Sequence, residues 1–270
     1  PCQTPDVLES KMAFELSVNL EYMFHEAGDR IEDRIAAAAA AGFTKVEMFT
    51  MANRDAASVA AALQAHGVEM ISMVSDPRIQ LVLRDNHAAF RENFERLVAD
   101  ATTLGCRRLV VGSGSAVPYM KRPIQIAAVA DAVKSVLDIA EAADITIMLE
   151  PVNTRVDHPG VLFAQTIDAL AVIELVNSPR VRLLYDLYHS VTEGEDPAVM
   201  LPKVAGLLEH VQVADAPGRG EPGSGTIDWP TQLATLRAVG YTGLIGIECS
   251  PTRTPTADAL ASFRALCAAV

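Results

Sequence analysis

Apolar, β-branched runs alternate along this chain with Ala-rich segments that are typical of helices. Each run predicts a strand and each following segment predicts a helix, so that the chain reads as eight strand–helix units. The predicted strands lie near residues 14–19, 44–49, 69–74, 108–112, 145–150, 181–186, 208–213 and 244–248. The predicted helices lie near residues 29–41, 55–66, 87–104, 122–143, 164–177, 196–206, 229–239 and 256–268.

One sequence pattern recurs where a predicted helix is followed by the next strand: an Ala-rich helix, a Gly near its end and, within a few residues, a β-branched run. It appears as AAAAAAGFTKVEMF, LQAHGVEMISMV, ATTLGCRRLVVG and LRAVGYTGLIGIE. Gly suits the left-handed position after a helix, so the next strand can begin at once. Eight evenly spaced units in 270 residues favour a single (β/α)8 TIM barrel of the α/β class. A doubly wound open sheet is the main alternative, but SVNLEYMFHEAGD, after the first strand, lacks its Gly-rich phosphate loop.

Composition narrows the class of protein. No linker or low-complexity tract divides the chain, so we expect one domain over residues 1–270, with residues 1–12 as a loose lead-in.

The net charge of −12 opposes phosphate backbones and anionic lipids, so we expect neither nucleic acid nor a membrane as a partner. The start of the chain lacks the plan of a signal peptide, and the four cysteines form no CxxC pair, which favours a cytoplasmic protein with reduced thiols. The oligomeric state stays open, a homo-oligomer included.

Acid or amide side chains end four successive apolar runs in the second half of the chain. ITIMLE ends in Glu150, VRLLYD in Asp186, LLEHVQ in Gln212 and LIGIE in Glu248. One such residue alone is at least as often a helix cap or a solvated rim residue as a functional group. Parallel barrel strands, however, direct their C-terminal ends at one face, where TIM-barrel active sites lie. We therefore expect these four side chains to converge there.

The four side chains form an oxygen-rich set that predicts a divalent metal. Buried carboxylates without a cation repel one another, and a metal removes that conflict. Three carboxylates and an amide oxygen suit Mg²⁺ or Mn²⁺ better than Zn²⁺, although affinity alone does not exclude Co²⁺, Ni²⁺ or Zn²⁺. We expect no other cofactor. The metal would bind neighbouring carbonyl and hydroxyl oxygens of the substrate, while Glu150 and Glu248 act as general base and general acid through an enediolate.

Three further residues are candidate substrate contacts. His189, three residues after Asp186, would hydrogen-bond a substrate oxygen as a neutral imidazole, and a capping histidine is the plainer interpretation. Arg219, in the Gly-rich loop after the seventh strand, would anchor a carboxylate or hydroxyl, with Glu221 as its orienting partner. Glu47, which ends the second strand, is as consistent with a group that supports the ligands or contacts substrate as with a rim acid, and Asn19, which ends the first strand, has the same ambiguity. Four other histidines lack metal-ligand spacing, and His210 is taken to lie one residue off the inward parity of Gln212. All five are expected to be structural: His25, His66, His87, His158 and His210.

Several longer motifs carry a family resemblance. They are FxxSVNL at 14–20, AGFxxVE at 41–47, LEPVN at 149–153, YDLYH at 185–189, HVQVADAPGRGEPGSG at 210–225 and GYxGxIGIE at 240–248. The chain resembles the sugar isomerase/epimerase-like TIM-barrel superfamily, and within it is most similar to hydroxypyruvate isomerase and its relatives. The resemblance implies metal ligands at Glu150, Asp186, Gln212 and Glu248, a catalytic pair at Glu150 and Glu248, and substrate contacts from the histidine and arginine named above.

The resemblance is incomplete around the substrate. Hydroxypyruvate isomerases carry a long loop after the third strand with a GDWxxGERG-like stretch, whereas VSDPRIQLVLRDNH is short and lacks it. They also place Lys two residues after the last glutamate, where this chain has Ser250. Gln212 stands where the ketose 3-epimerase branch has His, which favours the hydroxypyruvate isomerase branch. We therefore expect the chemistry to be kept on a related hydroxy-keto acid or small sugar.

The leading hypothesis is a metal-dependent isomerase that shifts a carbonyl between adjacent carbons of a hydroxypyruvate-like substrate. The enzymatic alternatives are a ketose 3-epimerase and an inosose-type dehydratase, and the non-enzymatic alternative is a sugar-binding barrel without turnover. A DNA-repair endonuclease of the same superfamily would need a His-rich multi-zinc site and a basic face. The net charge of −12 and the scattered histidines argue against it.

Overall fold

The computed structural model describes residues 13–75 and 79–269, so the predicted lead-in of residues 1–12 lies outside the described residues. Eight parallel strands close into a barrel in sequential order, and the last strand pairs with the first. The strands are β1 (Leu16–Asn19), β2 (Lys45–Glu47), β3 (Glu69–Val74), β4 (Arg108–Val111), β5 (Thr146–Leu149), β6 (Val181–Asp186), β7 (Leu208–Val213) and β8 (Ile245–Ile247). The predicted TIM barrel is thereby confirmed.

Helices follow the strands and form the outer layer. They are α1 (Ile31–Ala40), α2 (Ala56–His66), α3 (His87–Leu104), α4 (Arg122–Lys134), α5 (Leu137–Ala142), α6 (Thr166–Val176), α7 (Leu187–Glu193), α8 (Pro197–Val204), α9 (Trp229–Ala238) and α10 (Thr256–Ala269). Short 3₁₀ turns lie at His25–Ala27, Arg84–Asn86 and Ala205–Leu207. Within the described ranges no helix combines the length and the apolar character that crossing a bilayer demands.

The helix predicted over residues 122–143 is two helices, α4 and α5. The break falls at Ser135, whose hydroxyl donates to the Ala132 carbonyl at 2.6 Å while its own carbonyl is bound by the Arg91 guanidinium. A serine hydroxyl and an arginine from another helix thus replace the continuing backbone ladder. The Ala-rich pattern carried no sign of this long-range contact.

A second difference is α7, which the sequence did not predict. It begins directly after β6, where Asp186 accepts hydrogen bonds from the backbone N–H groups of Tyr188 and His189 at 2.8 and 3.2 Å. A side-chain acceptor at this position satisfies N–H groups that have no partner within the helix. The result is a short capped helix that brings YDLYH to the barrel mouth.

Side chains inside the barrel divide it into an apolar and a polar half. Val110, Met148 and Leu184, on β4 to β6, form an apolar cluster separate from the main core between strands and helices. Across the barrel the interior is polar, and its buried side chains are Ser17, Glu47, Ser72, His210 and Gln212. Because alternate residues of a strand point inward, each half continues upward into the floor of the C-terminal mouth.

Candidate functional site

The four predicted ligands lie on neighbouring strand ends. Asp186 is the last residue of β6 and pairs in register with Gln212 of β7. Glu150 and Glu248 each follow directly after β5 and β8. Asp186, Gln212 and Glu248 are buried and Glu150 is partly buried, so all four side chains lie at one end of the barrel rather than in solvent.

Asp186 divides its two carboxylate oxygens between two tasks. Oδ1 caps α7, whereas Oδ2 is buried without a hydrogen-bond partner among the described residues. An unpaired buried carboxylate oxygen is costly unless a cation or a ligand satisfies it. The cap therefore orients the carboxylate and leaves one oxygen free for the site.

Gln212 presents the second unpaired oxygen. Its Nε2 donates to Glu47 Oε2 and to Glu248 Oε2, both at 2.9 Å. Its Oε1 is buried and has no partner within the described parts of the chain. The amide nitrogen of Gln212 thus points at the two acids, and the amide oxygen is left for another ligand.

The donor chemistry of the site fits a divalent cation. Ligand atoms of Glu150, Asp186 and His189 all lie within 4.8 Å of one another. Glu248 adjoins this group through Arg219, whose Nη2 lies 2.6 Å from Glu248 Oε1 and 3.9 Å from Asp186 Oδ2. Carboxylate oxygens, one of them the unpaired Asp186 Oδ2, together with the unpaired amide oxygen of Gln212 are of the kind that hard cations prefer.

The raised pKa values of the clustered acids also favour a bound cation at the site. Burial, with the charges of Glu248 and Asp186, raises the pKa of Glu150 well above its usual value. Burial raises the pKa of Glu248 to about 8, although Arg219 opposes the rise. Burial also raises the pKa of Asp186. One guanidinium does not neutralise three clustered acids, so the site favours an added positive charge or retained protons.

Arg219 is held firmly at the mouth. Its guanidinium lies over the rings of Tyr22 and Tyr188, 4.9 and 5.1 Å from their centroids, and bonds Glu248. Burial alone would lower its pKa, but the charges of Glu248 and Asp186 raise the pKa above its usual value. Its Nε is buried and unpaired among the described residues, which leaves one donor for a ligand.

The loop that carries Arg219 is built around Asp215. Asp215 Oδ1 accepts from the backbone of Ala216 and Ile227, and Oδ2 accepts from Gly223 and from Trp229 Nε1. Arg219 itself has φ of 54°, a left-handed conformation that is uncommon for a residue with a side chain. The prediction that Glu221 orients Arg219 is wrong, since Glu221 binds the Thr252 backbone N–H and hydroxyl at 2.7 and 2.8 Å.

His189 is a neutral hydrogen-bond donor in this arrangement. Its Nδ1 accepts from the Asn153 backbone N–H at 3.2 Å and from Asn153 Nδ2 at 2.7 Å. Burial and the nearby Arg219 hold the pKa of His189 well below its usual value. A neutral imidazole that accepts at Nδ1 carries its proton on Nε2, which lies 3.7 Å from Asp186 Oδ2. This geometry suits a contact to a substrate oxygen better than metal ligation.

Glu47 lies beneath the mouth rather than on its wall. It is fully buried, and both of its oxygens accept hydrogen bonds from barrel side chains, including His210 Nε2 at 2.9 Å. Burial alone would raise its pKa, but the charge of His210 and the hydrogen bonds lower it to about 2. The predicted substrate contact gains no support from this position. The prediction that His210 lies off the inward parity of Gln212 is wrong, because the two are two residues apart on β7 and both face inward, His210 against Glu47.

A cavity of about 560 Å³ opens above these groups. Its lining combines the polar groups of the site with apolar side chains. The polar groups include Glu150, Asp157, His158, His189, Arg219 and Glu248, and the apolar side chains include Phe49, Val74, Val110, Val152 and Val161. A bound molecule would thus contact both acids and apolar surface.

Sequence reasoning missed several residues of the site. Asn153 was within the LEPVN motif and Tyr188 within YDLYH, so both had a local signal. Asn19 was an ambiguous candidate rather than a missed one, and its Nδ2 donates to Glu248 Oε2 at 2.9 Å from the end of β1. His158 lines the cavity with its ring 5.4 Å from that of His189, and nothing in its spacing indicated this.

The chain matches the family described as xylose isomerase-like TIM barrel over residues 35–266. It is 29% identical to a protein named putative hydroxypyruvate isomerase from Homo sapiens, over 92% of this chain and 93% of that protein. It is 30% identical to a protein named 2-oxo-tetronate isomerase from Cupriavidus necator, over 87% of this chain and 92% of that protein. Among solved structures it is similar to one described as AP endonuclease, family 2, from Brucella melitensis, with a TM-score of 0.86, 29% identity and coverage of 93% and 98% of the two chains.

These similarities span nearly the whole barrel and include the strands that carry the site. The resemblance drawn from the sequence motifs is confirmed by them. The chain belongs to the xylose isomerase-like TIM-barrel family.

Proposed function

We propose that this protein is a metal-dependent isomerase that moves a carbonyl between adjacent carbons of a small, hydroxypyruvate-like substrate. One observation carries the proposal: Glu150 and Glu248, both with a raised pKa, face one cavity beside the unpaired oxygens of Asp186 and Gln212. An acid whose pKa lies near neutrality can both accept and return a proton. Relatives named hydroxypyruvate isomerase and 2-oxo-tetronate isomerase, at about 30% identity over most of the chain, support an isomerase.

In this mechanism Glu150 and Glu248 exchange a proton with two neighbouring substrate carbons, one acting as general base and the other as general acid. His189 donates from Nε2 to a substrate oxygen, and Arg219 contributes its unpaired Nε–H and fixes Glu248. Glu150, Asp186, Gln212 and Glu248 would hold the metal, Mg²⁺ or Mn²⁺ by their oxygen chemistry. When bound, the metal supplies positive charge that stabilises the enediolate.

The size of the cavity favours one alternative, a ketose 3-epimerase. A volume of about 560 Å³ falls within the range of pockets for drug-sized ligands, and a three-carbon acid needs less space. Epimerisation returns the proton to the same carbon from the other face and would use the same two glutamates. Nucleic-acid chemistry, the activity in the name of the Brucella melitensis protein, is opposed here by the net charge of −12.

The test is a screen of keto acids and ketoses with Mn²⁺ in deuterated water, with products identified by NMR. Glu150→Gln and Glu248→Gln should each lower turnover by roughly a thousandfold, because removing a positioned acid or base costs about 10²–10⁴-fold. Glu209→Gln, the same change on the β7 strand outside the site, is the control and should keep wild-type rates. Wild-type turnover in either site variant would refute the mechanism.

Product identity separates the enzymatic alternatives. An isomerase yields the carbonyl on the adjacent carbon, a 3-epimerase yields the inverted ketose, and an inosose-type dehydratase releases water. A barrel that binds Mn²⁺ and sugars tightly but turns over none of them would favour the non-enzymatic alternative.

A further inference from the structure

We propose that Glu47 is a positioning residue that fixes the amide of Gln212 so that the amide oxygen faces the metal site. The inference rests on the proposed function above, since it concerns how one of the proposed ligands is oriented. Glu47 does not line the cavity and would act on the reaction only through Gln212.

An amide can present either its oxygen or its nitrogen, and only the oxygen binds a cation. The two N–H groups of Gln212 point at two acids, Glu47 Oε2 and Glu248 Oε2, each at 2.9 Å. With both donors engaged by carboxylates, the amide plane is set and Oε1 is the atom left without a partner. Without Glu47, one of the two contacts that distinguish nitrogen from oxygen is lost.

Glu47 is itself immobilised by the barrel. Ser17 Oγ donates to Oε1 at 2.5 Å, and Ser72 Oγ donates to Oε2 at 2.8 Å. His210 Nε2 lies 2.9 Å from Oε1, so each oxygen has a fixed partner besides the amide. These contacts come from β1, β3 and β7, which surround the carboxylate on strand β2. A carboxylate held from three strands is a rigid reference for the Gln212 side chain.

Strand β8 leaves room for this arrangement at Gly246. A Cβ atom there would overlap Glu47 Oε1 and lie 2.7 Å from His210 Nε2. Gly246 does not have a positive φ, so its backbone conformation does not require glycine. The glycine is explained by the space that the Glu47–His210 pair occupies, which is a second observation independent of the hydrogen bonds.

A purely structural role explains this interior less well. Replacing both partners of a buried hydrogen bond by apolar groups of the same shape can be nearly neutral or stabilising. The other half of the same barrel is filled with apolar side chains, Val110, Met148 and Leu184. The Glu47–His210 contact lies in the half that supports Gln212 and Glu248, whose orientation matters for the site.

The experiment measures Mn²⁺ affinity of the full-length protein by calorimetry, with thermal unfolding followed in parallel. Glu47→Gln and Gly246→Ala should raise the Mn²⁺ Kd by roughly tenfold to a hundredfold, as is typical when a group supporting a ligand is lost. Ser72→Ala removes one donor to the oxygen that holds the amide, and it should raise the Kd by roughly a fewfold. This mild change keeps the test open if the stronger variants do not fold. Glu209→Gln is the matched control and should bind Mn²⁺ as the wild type does.

The outcomes separate the two proposals. A wild-type protein that binds no Mn²⁺ would end the proposed function and this inference with it. A wild type that binds Mn²⁺ while folded Glu47→Gln or Ser72→Ala binds equally well would overturn the inference alone. A merely structural Glu47 would lower the Tm without changing the Kd of the folded protein, so a Kd that rises in folded variants supports positioning.

Discussion

Asp186 shows at the scale of one residue why strand-end acids are ambiguous in a sequence. Its Oδ1 caps a helix and its Oδ2 is buried and unpaired among the described residues, so one side chain provides both a cap and an oxygen for the proposed metal. The C-terminal ends of parallel strands predicted that Asp186, Gln212 and Glu248 lie at one rim. It could not predict which atom of each side chain remains free, because that depends on partners from other strands.

The Asn153–His189 contact leads to a prediction at the same scale. Asn153→Asp places a carboxylate beside Nδ1, which would draw the imidazole proton to Nδ1 and remove the donor at Nε2. We expect kcat to fall by roughly a hundredfold, the usual cost of losing one donor to a developing oxyanion. Ring ¹⁵N NMR of His189 should show the change of tautomer. Asn177→Asp, at the exposed end of α6, is the control, and an unchanged kcat in Asn153→Asp would contradict the role of His189.

At the scale of elements, the loop between β7 and α9 shows what a motif can and cannot predict. The Gly-rich stretch predicted a loop that brings Arg219 to the mouth, where the structure has it. It did not indicate that Asp215 holds the loop by four hydrogen bonds, or that Glu221 instead ties it to the segment after β8. The Glu221–Thr252 contacts join residues on different strand–helix units, which are near in space only after the barrel has closed. The break between α4 and α5 was unpredictable for the same reason.

Asp215 can be tested against a second aspartate of the same loop. Asp215→Asn sets an amide among N–H donors and should lower the free energy of unfolding by about 2–3 kcal/mol, since hydrogen bonds to charged groups contribute about that much. Because Arg219 moves with the loop, KM should rise as well. Asp228→Asn, at the N-cap of α9, replaces one good N-cap residue with another and should change neither the free energy of unfolding nor KM. Urea unfolding measures the free energy of unfolding, and steady-state kinetics measure KM. An unchanged KM in Asp215→Asn would show that the hydrogen bonds of Asp215 do not position Arg219.

At the scale of the whole molecule, the fold was the most predictable feature. Eight strand–helix units, four of them preceded by a helix–glycine–strand pattern, specify the barrel through local patterns, and each strand was placed within about two residues. The division of the interior into an apolar and a polar half was not predicted. It arises from which strands become neighbours on closure, and it brings Glu47 of β2 against His210 of β7.

The buried acids predict how stability depends on pH in the metal-free protein. Glu248 has a folded pKa of about 8 against 4.5 for an ordinary glutamate, so between these values the folded state binds more protons than the unfolded state. Stability should therefore fall as pH rises through this window and level off above the folded pKa. The lowered pKa values of His158 and His189 oppose this trend at lower pH, so the interval from about pH 7 to about pH 8 is the one to compare.

Thermal unfolding with EDTA should show a falling Tm over that interval, and Mg²⁺ should reverse the fall because it binds the ionised carboxylates. Glu248→Gln should flatten the metal-free profile. A Tm that is constant or rises with pH in EDTA would show that the acids are not protonated in the folded state.

The two-sided interior also has a consequence for laboratory evolution. Val110, Met148 and Leu184 support the cavity floor and make no contribution to the network around Gln212. Libraries confined to these three codons should therefore reshape what the enzyme accepts while the proton-transfer machinery stays intact. Libraries on the opposite side of the barrel would yield mostly inactive clones, so tolerance to mutation should itself map the boundary between the halves.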